Sequence, residues 1–189
     1  MIGISGRTIF AATAIISIAL IPACGLIGNS KSTSVTESDH AIRDQCDRTL
    51  KFFKDYLGIT DVSIGYESIN PEDKIGRGAT CTVRKASLVG VGGTRISAML
   101  SPDSEPPAIK GDPNYIAQSG YDEKVWLNQS QGSVRIYTTV NGWQGSLDFN
   151  VDQINNVSIT SGEQPNFEVS DHEVRAAVKF LIELTRELT

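Results

Sequence analysis

Histidine is almost absent from this chain of 189 residues: His40 and His172 are the only two. His172 falls in the first turn of a capped helix, where capping accounts for Ser170 and Glu173 without catalysis, and His40 lies near the tether at the start of the first helix. No G-x-S-x-G elbow presents a nucleophile, so a Ser-His-Asp site has no support. Basic runs are missing too. With 17 Lys and Arg against 22 Asp and Glu, the formal charge is −5, which argues against nucleic acid as a partner. No G-x-x-x-x-G-K-[ST] loop cradles a phosphate and no D-x-D-x-D-G loop holds calcium. The carboxylate pairs Glu72-Asp73 and Asp122-Glu123 lie in turn-like stretches and read as solvated loop charge. Two cysteines beyond the first, without a second pair, make no zinc motif. No metal, cofactor or enzymatic activity is expected.

Long apolar runs are also missing. The longest, Ile9 to Ile21, spans about 13 residues, too few for a bilayer core of about 30 Å but suited to the apolar region of a signal peptide. Arg7 precedes it, and Ile21-Pro22-Ala23-Cys24 follows. These four residues resemble the lipobox of bacterial lipoproteins, with an aliphatic residue at −3, a small one at −1 and cysteine at +1. The resemblance implies cleavage before Cys24, diacylglycerol on its sulfur, and a membrane anchor facing the extracytoplasmic side. Two or three acyl chains would make that anchor stable, where one binds only marginally. Gly25 at +2 is not the aspartate that marks inner-membrane retention in some Gram-negative bacteria, so either membrane remains open.

Three segments follow: a signal peptide over 1–23, a lipidated tether over 24–37, and one domain over 38–189. The tether, Ser/Thr-rich and poor in apolar residues, would hold the domain off the lipid. Removing residues 1–23 takes away only Arg7 among charged side chains and leaves about −6. With Cys24 lipidated, Cys46 and Cys81 remain, an even number in an oxidising compartment. A bridge between them would close a loop of about 35 residues and stabilise the fold by roughly 3–4 kcal/mol; the alternative is a pair of buried thiols.

Within the domain the periodicity changes along the chain. Ile42, Cys46, Leu50, Phe53 and Leu57 recur at helical spacing from Ser38 onward, and Gly58 stands where a C′ glycine belongs. Val62, Ile64 and Tyr66 alternate as a strand, and Asn70-Pro71-Glu72-Asp73 turns the chain. A strand from Ala79 to Val89 is interrupted at Lys85, which suggests a bulge or an edge. Gly90-Val91-Gly92-Gly93 is expected as a hairpin turn, and 101–113, with four prolines, as a surface loop. Residues 115–131 are ambiguous, with a short strand possible at Val125-Trp126-Leu127. Asn141-Gly142 predicts a type I′ hairpin pairing Val140 with Trp143, Ile136 with Leu147 and Val134 with Phe149. Its other face then pairs Arg135 with Asp148, Tyr137 with Ser146 and Thr139 with Gln144. Val157 and Ile159 suggest another strand. Ser170-Asp171-His172-Glu173 is a capping box opening a last helix whose apolar face is Val174, Ala177, Val178, Leu181, Leu184 and Leu188.

The expected fold is α+β: an N-terminal helix, an antiparallel meander of about five strands, and a C-terminal helix, with both helices on one face. Tyr115, Tyr121 and Trp126 flank the proline-bearing loop. They are either a binding surface or a cover for the open end of the sheet. Taken together, the tether, the helix-to-strand cysteine spacing and the hairpin SVRIYTTVNGWQGSLDFNVD resemble the small single-domain lipoproteins of actinobacterial envelopes. The leading expectation is a non-enzymatic envelope module that binds a protein, cell-wall or lipid partner. A carrier of lipids or glycolipids in an apolar cavity is the first alternative, and an envelope hydrolase the second.

Overall fold

The computed structural model describes residues 36–66, 70–85, 89–101, 105–130, 132–160 and 168–189, with only the backbone at 89 and 156–160. The signal segment, Cys24 and residues 24–35 of the tether lie outside them. All the described residues belong to the unit Ser34–Thr189.

Apolar spacing produces α1 (Ile42–Lys51), which turns Ile42, Gln45, Cys46 and Thr49 inward. It begins at Ile42 and not at Ser38, because Ser38 is held elsewhere: its buried hydroxyl donates to the Leu188 carbonyl near the C-terminus. Asp44 accepts from the Ala41 amide at 3.1 Å and closes the start of the helix. Phe52–Tyr56 then widens into a π-helical turn. The wider turn allows Phe52, Phe53 and Leu57 all to be buried. Gly58, at φ 66°, ends the segment as expected.

Seven antiparallel strands form one sheet: β1 (Val62–Gly65), β2 (Ala79–Lys85), β3 (Val89–Ala98), β4 (Ile116–Gln118), β5 (Lys124–Ser130), β6 (Ser133–Val140) and β7 (Trp143–Asn150). Their order is β1-β2-β3-β7-β6-β5-β4, two meanders joined where β3 pairs with β7. The expected count of about five is therefore too low. β4 is three residues long, with Ile116 66% exposed, so it shows no alternation to read. The glycine turn is also corrected, since Gly90, Gly92 and Gly93 are strand residues of β3. Glycine is needed there for close approach, because a Cβ on Gly93 would run into the Cys81 carbonyl of β2. The interruption at Lys85 is a register shift between Val83 and Arg84.

Around Asn141-Gly142 the register is the expected one throughout, with φ of 50° and 83° at the two turn residues. Val157 and Ile159 are not in a strand: they fall in α2 (Val151–Thr160). Asn150 starts that helix, its side chain accepting from the Gln153 amide at 2.8 Å, and this local cap outweighs a two-residue alternation. The last helix, α3 (Asp171–Glu187), opens on the Ser170–Glu173 capping box and buries five of the expected apolar residues, the sixth, Leu188, being buried at its C-cap.

One face of the sheet is apolar, with Val83, Ile96, Val125, Val134, Ile136, Leu147 and Phe149 all buried. Burying such a side chain is worth about 1.5–3 kcal/mol. Toward this face α1 sends Gln45, whose amide donates to the Thr94 carbonyl at 3.1 Å and to its hydroxyl at 3.0 Å. Thr49 meets the same hydroxyl at 2.7 Å. From α3, Thr185 and Leu181 lie against Gly145 of β7. A disulfide joins Cys46 of α1 to Cys81 of β2, with Cα atoms 5.2 Å apart.

Candidate functional site

The opposite face of the sheet carries the polar half of the strand alternation. Because side chains alternate, the observed register fixes which residues stand together there. One row runs Ala117, Trp126, Tyr137, Ser146, Arg95, Thr80 across β4, β5, β6, β7, β3 and β2. The next runs Asn128, Arg135, Asp148, Gly93, Thr82. Arg95, Arg135 and Asp148 are exposed, while Trp126, Tyr137 and Ser146 are half-buried.

Two hollows meet on this face. The first, about 240 Å³, lies between Tyr115, Arg135, Tyr137, Ser146 and Asp148. The second, about 270 Å³, is lined by Thr80, Thr82, Gly93, Arg95, Ser146 and Asp148 among others. Sharing Ser146 and Asp148, they make one shallow trough with the aromatics at one end and threonines at the other. Its floor is low at Ser146 in the first row and at Gly93 in the second.

Charge is distributed unevenly. The strands hold a single carboxylate, Asp148, against Arg84, Lys85, Arg95, Lys124 and Arg135. Of these cations only Lys85 turns to the apolar face, where it is 3% exposed. By area Asp148 is an exposed side chain, yet the groups around its carboxyl strip enough hydration to raise its pKa, with Arg135 pulling it down. Burial also pushes the Tyr137 phenol up, with the Tyr115 phenol adding to the effect. The trough thus places a hydrogen-bonding carboxyl between two guanidinium groups, beside aromatic rings.

The three aromatics read as a surface or a cover are separated by the fold. Tyr115 stands edge-on to Tyr137, ring centroids 5.4 Å apart, and belongs to the trough. Trp126 lies opposite Tyr137 in the β5–β6 pairing, on the same face. Tyr121 instead packs against the apolar core and has no part in the site. Arg95, Arg135, Tyr137, Ser146 and Asp148 were not among the expected site residues. Alternation in the hairpin already placed four of them on one face, but Arg95 joins them only through the β3–β7 pairing.

The other candidates stand in packing and ion-pair contacts. His172 stacks on Tyr56, ring centroids 6.2 Å apart, and His40 lies 3.7 Å from Asp44. Glu72 forms a two-point ion pair with Arg43, at 2.7 and 2.9 Å, and Glu123 pairs with Arg186. Among the described residues no cluster of three His, Cys, Asp or Glu side chains could hold a metal ion. A further hollow of about 320 Å³ runs between α1 and α3, lined by Phe52, Tyr56, Phe180 and Leu184 and rimmed by charge. Its rings stack closely, Phe52 on Phe180 at 4.2 Å, which is the packing of a helix–helix seam. Against known protein families, curated proteins and solved structures, the chain matches none.

Proposed function

We propose that the chain is a lipid-anchored module of the bacterial envelope that works by binding, without catalysis, through the outer face of its sheet. In this reading α1 and α3 both cover the apolar face and leave the other face to a ligand. Lipidation at Cys24 supplies the address, as the lipobox-like Ile21-Pro22-Ala23-Cys24 implies. The Cys46–Cys81 disulfide fits a chain that matures outside the cytoplasm. One observation carries the binding role: Arg95, Arg135, Tyr137 and Asp148 line two adjoining hollows on the outer face of the sheet. Convergent polar groups beside aromatics are the usual composition of a binding site.

A photo-crosslinking side chain placed at Thr139, on the outer face, should form adducts in intact cells. The same group at Lys179, on the exposed side of α3, should form few. Adducts from Lys179 but none from Thr139 would move the binding surface to the helices. A second reading, a carrier of apolar ligands, is favoured by the aromatic hollow between α1 and α3. At about 320 Å³ it stands at the lower limit of small-molecule pockets, about 300–1,000 Å³, and suits one ring or short chain better than a diacyl lipid.

A further inference from the structure

We infer that the occupant of the trough is an acidic saccharide chain, its sugar rings lying on Trp126 and Tyr137 and its anionic groups meeting Arg135 and Arg95. The inference rests on the binding role proposed above and names the ligand class.

Charge complementarity is the first support. Carboxylates outnumber cations in the chain as a whole, 22 to 17. On helices and loops many of these charges already stand in pairs, such as Arg43–Glu72, Arg48–Glu187, Lys51–Asp55 and Glu123–Arg186. Among the described strand residues the outer face inverts the balance: Arg95, Lys124 and Arg135 stand there with one carboxylate, Asp148. An acidic protein that gathers cations on one face presents a local field for an anion, whatever its net charge. Guanidinium groups add direction, because their planar forks match carboxylate and phosphate oxygens two at a time.

The aromatics narrow the class of anion. Trp126 and Tyr137 are cross-strand neighbours, with strands about 4.8 Å apart. Aromatic side chains paired across strands on one face add apolar surface beside the trough, which an inorganic anion or an acidic peptide backbone would leave unused. A pyranose ring has a C–H face for such a surface and hydroxyls at its edge. Gln144 and Asn128, also on the outer face, supply matching donors and acceptors. Shape then favours a chain over a single sugar. The two hollows run end to end across Ser146 and Asp148, and the low floor at Gly93 admits a ligand that lies along the sheet.

The test uses the full-length protein purified in detergent. Oligogalacturonate serves as carboxylated probe and a phosphorylated mannan as phosphate probe. Neutral malto-oligosaccharide of equal length, polyglutamate and oligothymidylate are the comparators. At least one acidic glycan should bind about tenfold tighter than every comparator, and should weaken steeply as NaCl is raised. The tighter of the two identifies carboxylate or phosphate as the anionic group. Arg135→Gln and Trp126→Ala should each weaken that binding roughly fivefold, with Lys179→Gln as an unchanged control. Should Trp126→Ala fail to fold, Arg95→Gln and Tyr115→Ala take its place. Polyglutamate or oligothymidylate binding as tightly as both glycans would overturn the saccharide assignment. So would binding insensitive to these substitutions, or no glycan binding at all. Crosslinking from Thr139 to a protein, with no glycan binding, would overturn this inference and leave the proposed binding role standing.

Discussion

At Asp148 two effects oppose each other. Neighbouring groups strip hydration from its carboxyl and raise its pKa, while Arg135 across the β6–β7 pair lowers it. Desolvation is the larger, so the fold disfavours the charged form. The sign for stability follows from linkage. A carboxyl whose folded pKa lies above its unfolded value favours the fold below the unfolded pKa, and loses that contribution as pH rises through the folded pKa. At neutral pH the ionised Asp148 is therefore a net cost to the fold, kept in place beside Arg95, Arg135 and Tyr137. Asp148→Asn should raise the melting temperature at pH 7. The gain should shrink as pH falls through the folded pKa and vanish in acid, in paired thermal melts across pH. A variant less stable than the parent at pH 7 would mean that Arg135 dominates. The residue's position was legible in the sequence: Asn141-Gly142 fixes the register, and the register sets Asp148 opposite Arg135. Its setting was not, because Arg95 and Gly93 reach it from a strand more than fifty residues away.

Elements specified by adjacent residues were the readable ones. The Asn141-Gly142 hairpin, the Ser170 capping box and the Gly58 stop each depend on contacts a few residues apart. Where the chemistry was equivocal the reading failed. Glycine serves both turns and close approaches, and only the Cys81 carbonyl behind Gly93 decides between them. Tyr121, which the sequence allowed as part of a surface or as a cover, packs against the apolar core. The β7–α3 contact is a further close approach. A Cβ on Gly145 would meet the Thr185 hydroxyl, with Leu181 Cδ1 and Thr138 Cγ2 each 3.2 Å away. Thr185 itself is fixed by donating to the Leu181 carbonyl at 2.8 Å. Gly145→Ala should thus destabilise by about 1–3 kcal/mol through overpacking. Adding Thr185→Ala should recover most of that loss, as a chemical-denaturation double-mutant cycle would read. Additive losses would show that α3 does not sit on Gly145.

For the whole molecule, one covalent link ties the first helix to the sheet. The Cys46–Cys81 bridge closes a 35-residue span, and both cysteines are buried. Cys46→Ala with Cys81→Ala should lower stability by about 2–5 kcal/mol, measured by denaturant unfolding. A loss near zero would leave α1 held by its packing and by the Gln45–Thr94 bonds alone. The anchor has its own check: the intact mass of protein extracted from membranes should show a lipid-modified N-terminus at Cys24, and Cys24→Ala should release the chain or stall its processing. A mature, unlipidated form beginning elsewhere would remove the anchor. The central claim is that the outer, cation-bearing face of the sheet is occupied in the envelope. Arginine footprinting with phenylglyoxal, in intact cells and on the purified protein, tests it most directly. Occupancy requires that Arg95 and Arg135 react more slowly in cells than in the purified protein, while Arg175, exposed on α3, reacts equally in both. Equal labelling of Arg95 and Arg135 in the two settings, with Arg175 protected instead, would contradict it.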